Sequence, residues 1–381
     1  MERIYLDHAA TSPIHKDVVQ VMADSLKEFF GNPSSIHHYG REARRMLDDA
    51  RETIATSIHA KSDEIVFTSG GTEADNLAII GYAKRHRSQG THLITVKTEH
   101  HGVLHACEHL ERDGFDVTYL NVDEDGMIRM DELQAALRDD TILVSIMMAN
   151  NETGVLLPIK EIGDLLKDHQ AVFHTDAVQA IGKYPIHVDE LHIDLLASSA
   201  HKFNGPNGVG FLYKRKGITL DPLTYGGEQE RKTRAGTENV AGILGMAKAL
   251  SIAIQDMHAR SEQYEEFREQ FLRILDENAI EYKLNGHKTE RLNNVMNLSF
   301  EGMNVESILM NLDLSGVAVS SGSACTAGSV EPSHVLTAMF GNNDRSKSAV
   351  RFSFGLGNTI EQVIHAANAV VKTLERMNAR R

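Results

Sequence analysis

The sequence predicts an α/β protein: a large domain on a mostly parallel sheet, followed by a smaller α+β domain. Three observations carry that expectation. Between residues 64 and 213 short apolar runs alternate with helical stretches, the pattern of strands joined by crossover helices and covered on both faces. A long helical stretch, about Val240–Leu275, then bridges to a segment of different rhythm. The chain has 381 residues, 41% hydrophobic and 24% charged, enough for more than one core. We expect a large domain at 16–256 and a small domain made of 1–15 and 257–381.

Residues 1–15 read as an extended arm, Ile4, Tyr5 and Leu6 running into Asp7–Pro13. A helix over about Lys16–Phe30 sets Val18, Met22, Leu26 and Phe29 on one side and breaks at Gly31–Asn32–Pro33. A second, about Arg41–Ile58, aligns Ala43, Leu47, Ala50 and Ile54. Glu64–Thr68 is the first buried strand and runs into Ser69–Gly70–Gly71–Thr72–Glu73 and a helix to about Arg87. Strands follow at His92–Val96, Asp116–Val122, Thr141–Met148, Ala171–Thr175, Ile193–Ala197 and Val209–Tyr213, with helices near Gly102–Arg112, Met130–Leu137 and Ile159–Lys167. Beyond the bridge come strand Asn294–Phe300, helix Val305–Leu312, strands Val317–Ser320 and Val350–Phe354, and helix Ile360–Met377. Ligands of such sheets bind beyond the carboxyl ends of the strands.

The formal charge of -14 argues against a nucleic-acid surface built on bulk charge. Two cysteines, Cys107 and Cys325, are too few for a disulfide framework and fit a reducing compartment. The opening residues lack the pattern of a secretion signal, and no apolar run reads as a membrane span. A cytoplasmic protein without a membrane or direct nucleic-acid partner is expected.

Three strand ends carry chemistry. Lys202, in Ser198–Ser199–Ala200–His201–Lys202, follows an apolar strand and precedes glycines that let the backbone bend. Desolvation there would free its amine for Schiff-base chemistry. Asp176 ends the run Phe173–His174–Thr175; it serves equally as a helix cap or as a carboxylate paired with a protonated pyridine nitrogen, with Gln179 in reach of a ring oxygen. The Ser69–Thr72 turn suits a phosphate, with amides at a positive helix end, but reads as readily as an N-cap with Thr72 capping and Asp75 in the capping-box place. Taken in that order, the three call for pyridoxal phosphate. Cys325 sits in the small, polar run Ser320–Ser329, an exposed loop rather than a core segment, whereas Cys107 lies among apolar helix residues.

With these motifs on the page, the chain closely resembles the cysteine desulfurases of the NifS/IscS type, class V aminotransferase-like enzymes of fold-type I. The resemblance runs from Tyr5–Leu6–Asp7–His8–Ala9–Ala10–Thr11 to Arg351–Phe352–Ser353–Phe354–Gly355 and includes Asn150–Asn151–Glu152. It implies a seven-stranded, mostly parallel sheet and pyridoxal phosphate as cofactor. Lys202 would hold the cofactor and shuttle the α-proton. Gly71, Thr72, Ser199 and His201 would hold the phosphate, with Thr237 reaching in from the other subunit of a homodimer. Asp176 would pair with the ring nitrogen, Gln179 with the ring hydroxyl, and His100 would stack on the ring as acid or base. Asn151 and Arg351 would clamp the carboxylate of L-cysteine. Cys325 would take the substrate sulfur as a persulfide, leaving L-alanine, and pass it to an iron–sulfur scaffold or a tRNA-thiolating enzyme. The motif around Cys325 favours this group over the selenocysteine-lyase-like one, and a lean toward tRNA thiolation rests on Gly227–Arg231 and Ser323–Ser329. A transaminase or a sulfur-relay protein without turnover are the competing readings.

No metal is expected. His101, His105 and His109 recur every four residues, a spacing that can bind zinc, but Val103, Leu104, Cys107 and Leu110 form the apolar face and turn that stripe to solvent. Asp123–Gly126 reads as a hairpin turn, since the later ligands of a calcium loop are missing.

Overall fold

The computed structural model describes residues 3–28, 30–322 and 332–379. Strand β1 (Ile4–Tyr5) leads through an irregular arm into α1 (Lys16–Glu28) and α2 (His38–Ser57). The expected stripe of α2 is buried at Ala43, Leu47, Ala50 and Ile54. In α1 the expected face is corrected. Val18 and Ser25 are buried but Leu26 is 70% exposed, and Phe29 lies outside the described residues. The inward set Val18, Met22 and Ser25 is spaced four and three, so Leu26 falls one position off it; Met22 lies close over Gly245, where a Cβ would come within 2.7 Å of it.

The main sheet holds β2 (Ile65–Thr68), β3 (His92–Val96), β4 (Asp116–Leu120), β5 (Thr141–Ser145), β6 (Val172–Asp176), β7 (Leu195–Ser199) and β8 (Gly210–Lys214), in the order β2-β8-β7-β6-β5-β3-β4. Of these seven, β8 runs antiparallel to both neighbours and the rest are parallel. Strands β2, β3, β5 and β7 bury every residue, because both faces are covered. The crossovers are α3 (Gly71–Asn76), which continues through a π-helical turn into α4 (Tyr82–Arg85), then α5 (His101–Arg112), α6 (Met130–Ala136) and α7 (Ile159–Leu166). Asp123 closes the expected turn, its Oδ1 accepting from the amides of Asp125 and Met127.

Helix α8 (Val240–Glu277) joins two cores. Its first half buries Ile243, Met246 and Leu250 under the sheet, and its second buries Tyr264, Phe267 and Phe271 in a separate cluster. By length and apolar content α8 contains a stretch that could cross a membrane; here half of that stretch is buried in the protein. The chain continues through β9 (Lys283–Asn285), β10 (Val295–Ser299), α9 (Val305–Leu314), β11 (Val317–Ala318), α10 (His334–Phe340), α11 (Asp344–Lys347), β12 (Ala349–Ser353) and α12 (Ile360–Asn378). The second cluster draws on β9, β10, α9, β11, β12 and α12, whereas α10 buries Val335, Leu336 and Met339 with Ala349 in a small cluster of its own. Strands β12-β10-β9 are antiparallel, and β1 pairs in parallel with β11, so the first strand of the chain belongs to the last core.

The arm after β1 ties the two cores together. The Ala9 amide donates to Ser353 Oγ (2.8 Å) on β12, Ser12 N donates to the His201 carbonyl (3.0 Å), and Asn204 N donates to Ser12 Oγ (2.9 Å).

Candidate active site

A cleft of about 480 Å³ opens at the carboxyl ends of the parallel strands. Each of five strands delivers something to it: Gly70–Thr72 after β2, His100 after β3, Met147 and Asn151 after β5, Asp176 at the end of β6, Ser199 and Lys202 at the end of β7. Arg351 reaches in from β12, and Ala9 and Ala10 from the arm. Sequence-distant candidates converge because the sheet is parallel: every crossover returns the chain to the same edge.

Lys202 ends a 3₁₀ turn that follows β7, and its Nζ donates to the carbonyls of Ala9 (2.6 Å) and Ala10 (2.8 Å). Ala9 O also accepts from Gln179 Nε2 (2.9 Å), so the arm aims both side chains. The Gln179 Oε1 is buried without a partner among the described residues, leaving that oxygen and the second amide N–H for a ligand. His201 Nδ1 lies 3.1 Å from Thr11 Oγ1; burial, then the cations of Lys202 and Lys183, push its pKa down to about 4, so it stands neutral.

The floor is acidic and dry. Asp176 is 5% exposed, and its Oδ1 accepts from the Val178 amide at 2.8 Å. Burial raises its pKa, while His100, the Val178 amide and Lys202 pull it back toward the charged form. Beneath it lie Asp75 and Glu99, pushed well above the usual carboxylate range by burial and then by neighbouring carboxylates. His174 faces Asp75 at 3.5 Å and holds Ser145 Oγ at 2.8 Å through Nδ1; burial alone drives its pKa down to about 3. His174 is therefore neutral near pH 7, and burial favours the neutral form of Asp75 as well. His100 caps α5, its Nδ1 accepting from Gly102 N (3.0 Å), and burial lowers its pKa.

At the opposite end, the N-cap of α3 is Gly70, with no side-chain cap. That corrects the capping-box reading of Thr72 and Asp75: Thr72 lines the cleft, and Asp75 is 1% exposed with neither oxygen bonded. Glu73 instead turns back to Ser69 N (2.6 Å) and to Arg234 Nε (2.7 Å). Gly71 sits where a Cβ would come within 2.7 Å of Val178, so this turn lies tight against the residue two beyond Asp176. Arg351 is 3% exposed; Nη1 donates to the Asn151 carbonyl (3.0 Å) and Nη2 to Asp7 Oδ1 (2.8 Å). Asn151 Oδ1 and Arg351 Nε are buried and unpartnered among the described residues.

Pyridoxal phosphate fits this donor set. Helix-start amides and hydroxyls wait at one end, a buried carboxylate at the other, an imidazole and a lysine lie between them, and orphaned polar atoms of Gln179, Asn151 and Arg351 point to a missing partner. One of the expected residues that the structure describes is not in the cleft. Thr237 is exposed in the segment before α8, and Cys325 lies outside the described residues. Sequence reasoning missed Asp7, Asp75, Glu99 and Lys183. Lys183 Nζ donates to the Gln179 carbonyl (3.1 Å), and burial, then the charge on Lys202, pushes its pKa down to about 7. Asp7 and Asp75 lie inside the motifs that mark the cleft, which was the available signal.

Residues 4–365 match the family described as aminotransferase class-V. A relative from Bacillus subtilis (strain 168) called putative cysteine desulfurase IscS 1 is 56% identical over 99% of this chain and 100% of its own length. Cysteine desulfurase IscS of Dictyoglomus turgidum is 51% identical over 98% of this chain and 95% of its own. Among solved structures, a NifS-like protein superposes with a TM-score of 0.92 at 34% identity, covering 98% of this chain and 100% of that one. A structure titled "SspA in complex with cysteine" gives 0.82 at 36% identity over 92% of this chain and 98% of that one.

Proposed function

The chain belongs to the aminotransferase class-V family, and we propose that it works as a pyridoxal-phosphate-dependent cysteine desulfurase, converting L-cysteine to L-alanine with a persulfide left on Cys325. The observation that carries this is the convergence of Lys202, Asp176, His100 and Arg351 on one cleft at the sheet's carboxyl edge. When bound, pyridoxal phosphate supplies an electron sink conjugated to the substrate α-carbon.

The protein's residues do the rest. Gly71 and Thr72, with Ser199 and His201, anchor the phosphate, the neutral His201 acting through a hydrogen bond rather than a charge. Asp176 holds the ring nitrogen's proton, and Gln179 takes the ring hydroxyl. Arg351 and Asn151 bind the substrate carboxylate; since Arg351 already holds Asp7 and the Asn151 carbonyl, it meets the substrate pre-aimed. Lys202 Nζ moves the α-proton, kept beside the cleft by the Ala9 and Ala10 carbonyls. The Cys325 thiolate attacks the substrate sulfur, the C–S bond breaks with its electron pair staying on the carbon side, and protonation there completes alanine. Cys107 is no substitute: it is 1% exposed and burial pushes its thiol pKa up.

We assign the working form to a homodimer. Phe30, Ile36 and Tyr225 are 75%, 90% and 86% exposed, an apolar set that a second copy would cover, and Thr237, exposed before α8, would reach the partner's phosphate site. The division at about residue 256 fits two cores that meet along α8. The sulfur goes on to an iron–sulfur scaffold or a tRNA-thiolating enzyme in the cytoplasm. The test is alanine and sulfide release from L-cysteine, with reductant, by wild type and Cys325→Ala. The expected result is a mutant that keeps its cofactor absorbance but releases neither product; a mutant as active as wild type refutes the persulfide route.

A further inference from the structure

Outside the cleft, α5 and α10 bring three histidines together. His101 and His105 lie one helical turn apart on α5, and His334 is the first residue of α10. The His101 and His105 ring centroids are 5.2 Å apart, and those of His101 and His334 are 4.5 Å apart. Zinc–nitrogen bonds of about 2.1 Å place the centroids of two ligating imidazoles roughly 4.5–5.3 Å apart, for bond angles from square to tetrahedral. Both observed separations fall in that window.

His334 is also oriented as a ligand needs to be. Its Nε2 lies 2.8 Å from the Glu99 carbonyl oxygen, to which it can only donate, so Nδ1 is left with the free lone pair. A backbone carbonyl behind the outer ring nitrogen is the usual support of a metal-bound histidine, fixing tautomer and ring plane. His105 is exposed while His101 and His334 are half-buried, which leaves a route in from solvent and an open coordination position for water. The stripe does not continue: His109 turns away to Asp113, with Nε2 3.6 Å from Oδ2.

We propose that His101, His105 and His334 bind a transition-metal ion of the zinc class. Three imidazoles without a thiolate suit zinc, cobalt, nickel or copper(II) rather than calcium or magnesium. The sequence could not show this, because His334 is more than 200 positions from α5. Among the described residues, the histidine and carboxylate ligand atoms that already converge, within 4.8 Å of one another, are those of Asp75, His100 and Asp176, which belong to the cleft. With the His334 ring held by the Glu99 carbonyl, the proposed site closes by rotation of the His101 and His105 rings about χ2, a broad and low-cost torsion for histidine. A bound ion would clamp the start of α10 to the first turn of α5, next to His100.

The test uses untagged, chelator-dialysed holoenzyme in a Cys325→Ser background, which removes the reactive thiol. Zn²⁺ is titrated by equilibrium dialysis, and Co²⁺ by its visible ligand-field absorbance, a readout separate from turnover. The expected result is one ion per chain, bound at least about tenfold more weakly after His105→Ala or His334→Ala and unchanged after His109→Ala. His105 is exposed, so its removal leaves folding intact and keeps the comparison interpretable. No binding by the parent protein, or equal binding by parent and His105→Ala, overturns the proposal.

Discussion

The two walls of the cleft are built on opposite principles. The large-domain floor is a stack of buried ionisable groups, Asp176 over Asp75, Glu99 and His174, several of whose polar atoms have no partner among the described residues. The wall from β12 offers Arg351, two of whose nitrogens are already bonded to Asp7 and to the Asn151 carbonyl. The floor therefore waits for a partner, and an unmet buried acceptor costs about 1–3 kcal/mol until one arrives. The arginine wall is satisfied in part beforehand, with Arg351 Nε and Asn151 Oδ1 still unpartnered among the described residues, so substrate binding there is largely an exchange of partners with a smaller net gain. Cofactor affinity should be concentrated on the floor and substrate selectivity on the wall.

That contrast can be broken in five places. The largest effect is expected on the floor side: Lys202→Ala should lower alanine formation by at least about 10³-fold and abolish borohydride fixation of the cofactor, read by absorbance. Next comes the scaffold under the floor. Arg51 and Glu230 form a buried pair, with Nη2–Oε1 at 2.6 Å, and Glu230 also accepts from the Phe67 amide on β2 at 2.9 Å. Arg51→Met strands Glu230 in the interior and should destabilise the fold by about 3–5 kcal/mol in urea unfolding. On the wall, Arg351→Lys keeps the charge but loses the two-pronged grip, and should cut kcat/KM for L-cysteine by roughly 10- to 100-fold, mostly through KM, with cofactor retained. Cofactor loss in that variant would erase the distinction between the walls.

The remaining effects are in pH and are spread over several units. Burial lowers the pKa of His100, so the imidazole is neutral at pH 7, and kcat/KM should fall only as pH drops through a value below the ordinary 6.5. His100→Gln should remove that limb. His174 has a folded pKa of about 3 against an ordinary 6.5. Between those values the unfolded chain binds a proton that the folded chain refuses, so stability falls as pH drops, by up to about 1.4 kcal/mol per pH unit for this one group. Urea midpoints from pH 7 to 4 should show a shallower fall in His174→Gln.

Much of this was legible in the sequence where burial and periodicity agree. Strands β2, β3 and β5 announce themselves because both faces are covered and apolar residues dominate them. Lys202, Asp176 and the Gly71–Thr72 turn were legible because strand ends and glycines mark the sheet's carboxyl edge. Elements without a long apolar signal were not, namely β9, only three residues long, and the short helices α10 and α11. Buried charge is hidden for the same reason. Arg51, Glu99 and Lys183 carry side chains that composition assigns to the surface, and only tertiary packing shows them inside. Leu26 is the converse, an apolar residue that falls one position off the inward set of α1 and is left outside.

The most direct test of the account is a single turnover of holoenzyme with L-cysteine and no reductant, quantifying alanine and weighing the cysteine-bearing peptides. The account predicts one alanine per active site and one additional sulfur atom on the peptide containing Cys325, with the Cys107 peptide unchanged. Alanine formed with no sulfur retained on Cys325 would contradict it.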